Sequence, residues 1–288
     1  MEDWNEYLLI LALHRAKTLR GAATILGTTH TTVARRLSQM HRRRKGEVFE
    51  KYQGGYRATV LGQELVLVAQ QLEQVVVSAD RVERRQGDQL AGPITLSIAE
   101  PMAQYLLLEE LNTFCRLYPD IQLTIDCSTK IVNLDKSEAD IAIRGATYLP
   151  DHLIGRRLFT YSLSYYAHKT YFAKTSRNEL AWIAPAVKEG WAEWLAESPY
   201  PEAPIQMVIT DIVTRFKALE AGFGLSRAAC FMADPHPDLI RLPGAKVIEQ
   251  PEIWVLTHPD LRDTARIKLL MQYLIDALSN KRSLLQGC

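Results

Sequence analysis

The chain has 288 residues, 47% of them hydrophobic, and a formal net charge of +1. That length and apolar content suit two or three units with real cores. Its four cysteines (Cys115, Cys127, Cys230 and Cys288) have neither a CxxC pair nor close spacing. This excludes a disulfide framework and a zinc-ligand set, and it reads as reduced thiols with no metal and no cofactor. No apolar run approaches the roughly 18 residues of a membrane span. The N-terminus opens on acids and a Trp rather than on a secretory signal, so a cytoplasmic protein is expected.

The near-zero charge hides an asymmetry. Residues 1–60 carry 11 Lys and Arg against 5 acids, net +6, and the remainder carries 23 against 28, net −5. A basic head on an acidic body is the distribution of a nucleic-acid binder whose bulk is kept off the phosphate backbone.

In chain order, Trp4, Tyr7, Leu8, Ile10 and Leu11 recur at helical spacing and predict a first amphipathic helix. Thr18 is placed as the N-cap of a second helix through Ala22, Ala23 and Leu26, and Gly27 ends it with a sharp turn. Thr29 caps a third helix to about Met40, and the small Ala22 and Ala23 allow the two to cross closely. The stretch TLRGAATILGTTHTTVARRL at 18–37 therefore reads as a helix-turn-helix. In FEKYQGGYRAT at 49–59, the Gly54-Gly55 pair predicts a hairpin or wing. Leu61, Leu65, Val68, Leu72, Val75, Ala79 and Val82 follow a 4-3 alternation, an a/d seam expected to dimerise the chain through 61–82. An ordinary amphipathic helix packed within one subunit is the alternative.

QGDQLAGP at 86–93 reads as a linker. Beyond it come a strand at 94–99, a helix at 102–118, and strands at 121–126 and 140–144. Later strands are expected at 163–167, 207–209 and 253–257, and helices at 214–222 and 265–279. Such alternation predicts an α/β body with a largely parallel sheet. The domain plan is thus 1–60 head, 61–86 helix, 87–93 hinge and 94–288 body.

This order of parts resembles the LysR-type bacterial transcriptional regulators over essentially the whole chain. DWNEYLLILALHRAKTLRGAATILGTTHTTVARRL is similar to the family's helix-turn-helix, in the branch with His-x-Thr-Val-x-Arg-Arg in its recognition helix. FEKYQGGYRAT with Gly62 resembles the segment after it, and LYPDIQLTI, EADIAIR and EAGFGLSRA resemble landmarks of the body. The chain departs from the pattern at Ala34, Met40-His41, Arg44-Lys45 and Lys51, where Ser, Leu-Glu, Leu-Gly and Arg are usual. The resemblance implies a winged helix-turn-helix and a body of two α/β subdomains like periplasmic solute-binding proteins, with chain crossovers near 160–168 and 258–265. It implies a homodimer or homotetramer on an interrupted palindrome of double-stranded DNA near a promoter, with a small effector in the cleft. It leaves room for RNA polymerase as a further partner.

His30, Thr31, Thr32 and Arg35 open the recognition helix and suit base edges. Arg36 suits a guanine edge or a phosphate, while Thr18 and Thr29 combine caps with backbone contact. Tyr56 and Arg57 in the wing, with Arg42, Arg43 and Arg44, suit phosphates. In the body, strand C-termini and helix N-termini select Glu100, Met102, Ser128, Thr129, Thr147, Thr210, Asp211, Ser226 and Arg227 for the effector. Many family members carry Ser or Thr where Glu100 stands. A carboxylate there points to a ligand with cationic or hydrogen-bond-donating groups, or to anion binding moved onto Arg227 and Thr129.

Two other readings remain open at this point. One is a solute-binding module without a DNA role. The other is an α/β hydrolase, because GLSRA at 224–228 approaches a GxSxG elbow, although Ala228 replaces its second Gly. No catalytic constellation is found, so a non-enzyme is expected.

Overall fold

The computed structural model describes residues 4–44, 46–85, 90–127, 134, 138–147, 153–185 and 191–288, apart from the side chains at 74, 77–85 and 191–192. Contacts divide the chain into two units, Met1–Glu83 and Arg84–Cys288. Lys45, Ser128, Thr129, the linker residues 86–89 and the side chains of Ala79 and Val82 therefore lie outside the described residues.

In the first unit α1 (Trp4–Ala16) buries Leu9, Ile10 and Leu13 almost completely. Helix α2 (Leu19–Ile25) starts at Thr18, whose hydroxyl accepts the Gly21 N–H at 3.1 Å. It ends in a Schellman arrangement: Gly27 sits at φ +60°, and Thr28 N–H reaches the Ala23 carbonyl at 3.0 Å. Helix α3 (His30–Arg44) starts at Thr29, whose hydroxyl accepts the Thr32 N–H at 3.3 Å. It continues one turn past Met40, because Met40 itself is buried and holds that turn on the core. Strands β1 (Phe49–Tyr52) and β2 (Gly55–Ala58) form the antiparallel hairpin.

The long helix α4 (Val60–Arg85) is capped by Thr59, which accepts the Gly62 N–H at 3.1 Å. Its 4-3 seam has two fates. Leu65, with Val66 and Ala69, is buried in the head core, and Leu61 and Leu72 pack against it. Val60, Leu67, Val68, Val75 and Val76 stay exposed. The helix is thus part of the head rather than a lone connector. A Cβ on Gly62 would lie 1.9 Å from the Val48 carbonyl oxygen, so this crossing requires glycine.

The second unit begins at β3 (Gly92–Ile98), so Gly92 and Pro93 open a strand instead of ending the linker. One helical segment follows: α5 (Glu100–Met102), a π turn over Ala103–Leu107, and α6 (Leu108–Leu117). Next come β4 (Ile121–Asp126), β5 (Ile141–Gly145), the long β6 (Ile154–His168) and α7 (Lys169–Lys174). Strand β7 (Trp182–Ala184), α8 (Trp191–Ala196), β8 (Ile205–Val208) and α9 (Ile212–Glu220) lead to β9 (Ser226–Ala229). Then α10 (Cys230–Ala233), β10 (Leu239–Arg241), β11 (Ile248–Thr257), α11 (Ala265–Asn280) and α12 (Arg282–Gln286) complete the chain.

The main sheet has the order β10-β6-β11-β5-β3-β4, with β9 also on β6. The expectation of a largely parallel sheet is corrected here. Within this sheet β3 runs parallel to β4 and β5, while β5–β11, β11–β6, β6–β9 and β6–β10 are antiparallel; β7 and β8 pair in parallel in a separate two-stranded sheet. The cause is β6, whose fifteen residues pair first with β11 and then with β9 and β10. The Arg156-Arg157 pair interrupts its apolar pattern, which is why 163–167 alone reads as strand. The segment 160–168 lies within β6, whereas 258–265 holds a 3₁₀ turn at Pro259–Leu261 and the start of α11.

Beside a smaller cluster of Leu134, Ala139, Ala142 and Leu256, the two larger apolar cores of this unit among the described residues lie on different parts of it. One lies under β3 and β5, where Ile94, Leu96, Ile141 and Ile143 meet Phe114, Leu270 and Leu274. The other gathers Tyr165, Trp182, Trp194 and Leu225. Its aromatic edges meet at 5.7 Å (Tyr165–Trp182) and 5.3 Å (Trp182–Trp194), within the favourable range. Asp140 accepts the Thr95 N–H at 2.8 Å and, through its carbonyl, the Thr257 hydroxyl at 2.8 Å, tying β3, β5 and β11 together.

Candidate nucleic-acid interface and ligand cavity

Helix α3 has two faces because each residue advances about 100°. Val33, Leu37 and Met40 turn inward and are buried. Directly opposite, Thr31, Arg35, Ser38, Gln39 and Arg42 are exposed. His30 and Arg36 are exposed on the flanks of that face. Ser38 and Gln39 were missing from the sequence-based set, although the same periodicity that buries Leu37 turns them outward.

Several predicted contact residues already have partners within the chain. Thr18 and Thr29 cap their helices. The Thr29 hydroxyl also lies 3.0 Å from that of Thr31 and 2.9 Å from that of Thr32. Arg43 is ion-paired with Glu6, which Arg44 approaches at 3.7 Å. Arg57 donates to Glu50 at 2.7 Å across the hairpin, in an exposed pair that solvent weakens. Tyr56 is half-buried, and its N–H donates to the Lys17 carbonyl at 2.8 Å.

The second unit holds a cavity of about 220 Å³. Its floor and sides are apolar: Met102, Leu163, Ile183, Phe216 and Phe231 contribute. Two guanidiniums, Arg215 and Arg227, also line it, together with Tyr161 and Ser226. Among the described lining residues there is no carboxylate. The Arg227 guanidinium lies over the Trp194 ring, 5.7 Å from its centroid. Arg215 donates to the Ile209 carbonyl at 2.8 Å, which fixes its reach. Burial, and then the charge of Arg227, pull the Arg215 pKa below its usual value. Burial raises Tyr161, so its phenol stays neutral and able to donate.

Of the nine residues selected from sequence, Met102, Ser226 and Arg227 line this cavity. Glu100 is exposed and does not line it, and neither do Thr147 and Thr210, which are also exposed. Asp211 caps α9 by accepting the Thr214 N–H at 2.7 Å, and hydrogen bonding to Thr214 holds its carboxyl below the usual range. Sequence reasoning missed Arg215 and Tyr161. Arg215 was discoverable one turn into the helix capped by Asp211, whereas Tyr161 needed the full length of β6.

The Ser226 hydroxyl is buried and donates to the Ile183 carbonyl at 3.2 Å from the first residue of β9. A nucleophile elbow sits at a strand-to-helix turn with its hydroxyl exposed, so GLSRA is not one. Among the described residues no helix is long and apolar enough to cross a membrane. Among the same residues no group of three or more His, Cys, Asp or Glu could hold a metal.

The family model of the LysR substrate binding domain matches residues 87–279, well over half of the chain. This chain belongs to the LysR family. The Mau operon transcriptional activator of Paracoccus denitrificans is 28% identical to this LysR-family chain over 146 residues, 49% of this chain and 50% of that protein. The uncharacterized HTH-type transcriptional regulator YraN of Bacillus subtilis is 25% identical over 134 residues, 46% of each. The chain spans about half the length of the curated relatives it matches. In fold it is similar to CrgA, a LysR-type transcriptional regulator from Neisseria meningitidis. That likeness has a TM-score of 0.59 at 18% identity, over 97% of this chain and 100% of the other. The full-length virulence activator AphB of Vibrio cholerae gives a TM-score of 0.57 at 13% identity, over 96% and 99%.

Proposed function

We propose that this LysR-family protein is a DNA-binding transcriptional regulator whose second unit binds a small-molecule effector. The observation that carries the reading is the split of α3: a buried Val33–Leu37–Met40 face, and opposite it an exposed face of Thr31, Arg35, Ser38, Gln39 and Arg42 in a head of net +6. Such a helix fits a major groove, with hydroxyls, an amide and a guanidinium turned toward base edges. In the family branch carrying His-x-Thr-Val-x-Arg-Arg, His30, Thr31, Thr32 and Arg35 read bases. Arg36, Arg42, Tyr56 and Arg57 hold the backbone, with Thr18 and Thr29 contributing hydroxyls at helix starts. Arg43 acts less directly because Glu6 already neutralises it.

The exposed Val60, Leu67, Val68 and Val75 strip on α4 is the surface that a second copy covers, making a homodimer. Two heads then meet the half-sites of an interrupted palindrome near a promoter, and a further interface gives the homotetramer. RNA polymerase is the downstream contact, and the protein acts in the cytoplasm without catalysing a reaction. Effector binding shifts the population between two arrangements of the body, which requires different affinity for each.

The test is a fluorescence-anisotropy titration of the full chain with the DNA upstream of its own gene, against random DNA of equal length. Selective binding that Arg35→Ala removes is the expected result. Equal affinity for both DNAs, unaffected by Arg35→Ala, overturns the reading.

A further inference from the structure

The cavity in the second unit carries more information than its location. Three features coincide there. Two arginines, Arg215 on α9 and Arg227 on β9, line the same cavity. The described lining holds no carboxylate, the described ion pairs include neither arginine, and the Asp211 carboxylate that acts on Arg215 caps α9 without lining the cavity. Most of the remaining wall is apolar, with Met102, Ile183, Phe216 and Phe231 facing the same space.

We infer that the cavity binds a small organic monocarboxylate with an apolar, ring-sized body, its carboxylate between Arg215 and Arg227 and its ring against Met102, Ile183 and Phe216. This names the ligand class of the effector site and rests on the function proposed above.

Each part of the ligand answers one part of the wall. Guanidiniums present paired N–H donors in a planar fork that matches a carboxylate. Arg227 is held in place over Trp194 and Arg215 by the Ile209 carbonyl, so neither has to be ordered on binding. Burial, and then the like charge of Arg227, lower the Arg215 pKa, and an anion in the cavity offsets that second effect. Tyr161, kept neutral, adds a further donor. A cationic ligand would meet two like charges in a partly desolvated space, at high cost. The exposed Glu100, the residue that suggested a cationic ligand, does not line the cavity. A bare inorganic anion would leave the apolar wall uncovered, so the ring is part of the match.

The experiment uses the full chain and reads two quantities: melting temperature, and affinity by calorimetry. The probes are benzoate, 3-phenylpropanoate and cinnamate, with benzylamine, benzamide and inorganic phosphate as the contrasting set. At least one carboxylate is expected to raise the melting temperature and to bind about tenfold or more tightly than benzamide, from the charge-assisted bonds alone. Arg227→Met should weaken that binding by about the same factor, while Arg227→Lys keeps the preference for anions. If Arg227→Met does not fold, Arg227→Gln and Arg215→Gln are read instead, and carboxylate affinity unchanged in both overturns the site. The inference is overturned if none of the three carboxylates binds, if benzylamine or benzamide binds as tightly, or if phosphate matches them. DNA binding of the same preparation separates the two claims. Selective DNA binding without carboxylate binding removes only this inference, and carboxylate binding without DNA binding removes only the proposed DNA role.

Discussion

Gly55 lies against the carbonyl of Lys17 so closely that a Cβ there would stand 2.2 Å from the oxygen. The next residue, Tyr56, donates its N–H to that same carbonyl at 2.8 Å. The hairpin is thereby pinned to the turn between α1 and α2, and Lys17 itself adopts φ 55° there. Gly55→Ala adds a clash at φ +124° and should destabilise the head by about 1–3 kcal/mol. Thermal denaturation of the full chain checks this, and an unchanged melting curve would refute the pinning.

Arg35 and Arg42 occupy one exposed face of α3 but are expected to act differently. Arg35→Ala should cost about 1–3 kcal/mol on specific DNA and little on random DNA, as for a base contact. Arg42→Ala should weaken both and lower the salt slope of log K by about 0.9. Arg43→Ala should change that slope less than Arg42→Ala, because its charge is already opposed by Glu6. Titrations at several salt concentrations distinguish the three variants.

The apolar strip on α4 leads to a prediction about assembly. Leu67 and Val75 are 62% and 65% exposed, whereas Leu65 and Ala69 on the same helix are buried in the head. Val75→Lys should shift the protein toward monomer without lowering the stability of the head, and Leu65→Ala should do the reverse, at about 2–5 kcal/mol. Analytical ultracentrifugation and denaturation read the two effects separately. A Val75→Lys protein with wild-type mass in solution would remove this face from the interface.

Tyr166 is buried between β9 and β10 on β6, and its hydroxyl donates to Asp234 at 2.8 Å. Burial, followed by the neighbouring Cys230 and Asp234, pushes its pKa upward. A raised folded-state pKa contributes stability that is complete below the unfolded tyrosine value near 10, and that is lost as pH rises beyond it. Burial shifts Tyr161 and Tyr165 the same way. Stability should therefore fall steeply above about pH 10, and Tyr166→Phe should make that fall shallower. Chemical denaturation across alkaline pH tests the slope.

The cysteines should differ in reactivity, since the thiolate is the nucleophile. Cys288 is exposed, while burial raises the thiols of Cys230 and Cys127, the latter with help from Glu100 and Asp126. Iodoacetamide at mildly alkaline pH should label Cys288 first and Cys230 last, with Cys230 labelling rising only at higher pH. Peptide mass mapping over time checks the order.

Local signals made much of this protein legible in its sequence. Thr18, Thr29 and Gly27 mark helix ends by hydrogen-bonding and φ preferences that act within a few residues, so the helix-turn-helix could be read without its surroundings. The same holds for β4, at 121–126 in both sequence and structure, and for α11, whose start at Ala265 agrees. The 4-3 repeat of α4 correctly indicated a helix with an apolar face. It could not tell which of those residues meet the head and which stay open, because Leu65 and Val68 look equivalent until α1 and β1 are folded beside them.

The sheet and the cavity depended on longer range. Strand direction is decided by where β6 returns beside β11, some ninety residues later in the chain, and no local period encodes that. Arg215 and Arg227 are ordinary residues of an amphipathic helix and a short strand when read along the chain. Sequence patterning alone determined the caps, the periodicities and the basic head, since those depend on neighbours within a turn. Only the tertiary fold decided that two like charges would share one apolar cavity, because that depends on contacts between segments far apart in sequence.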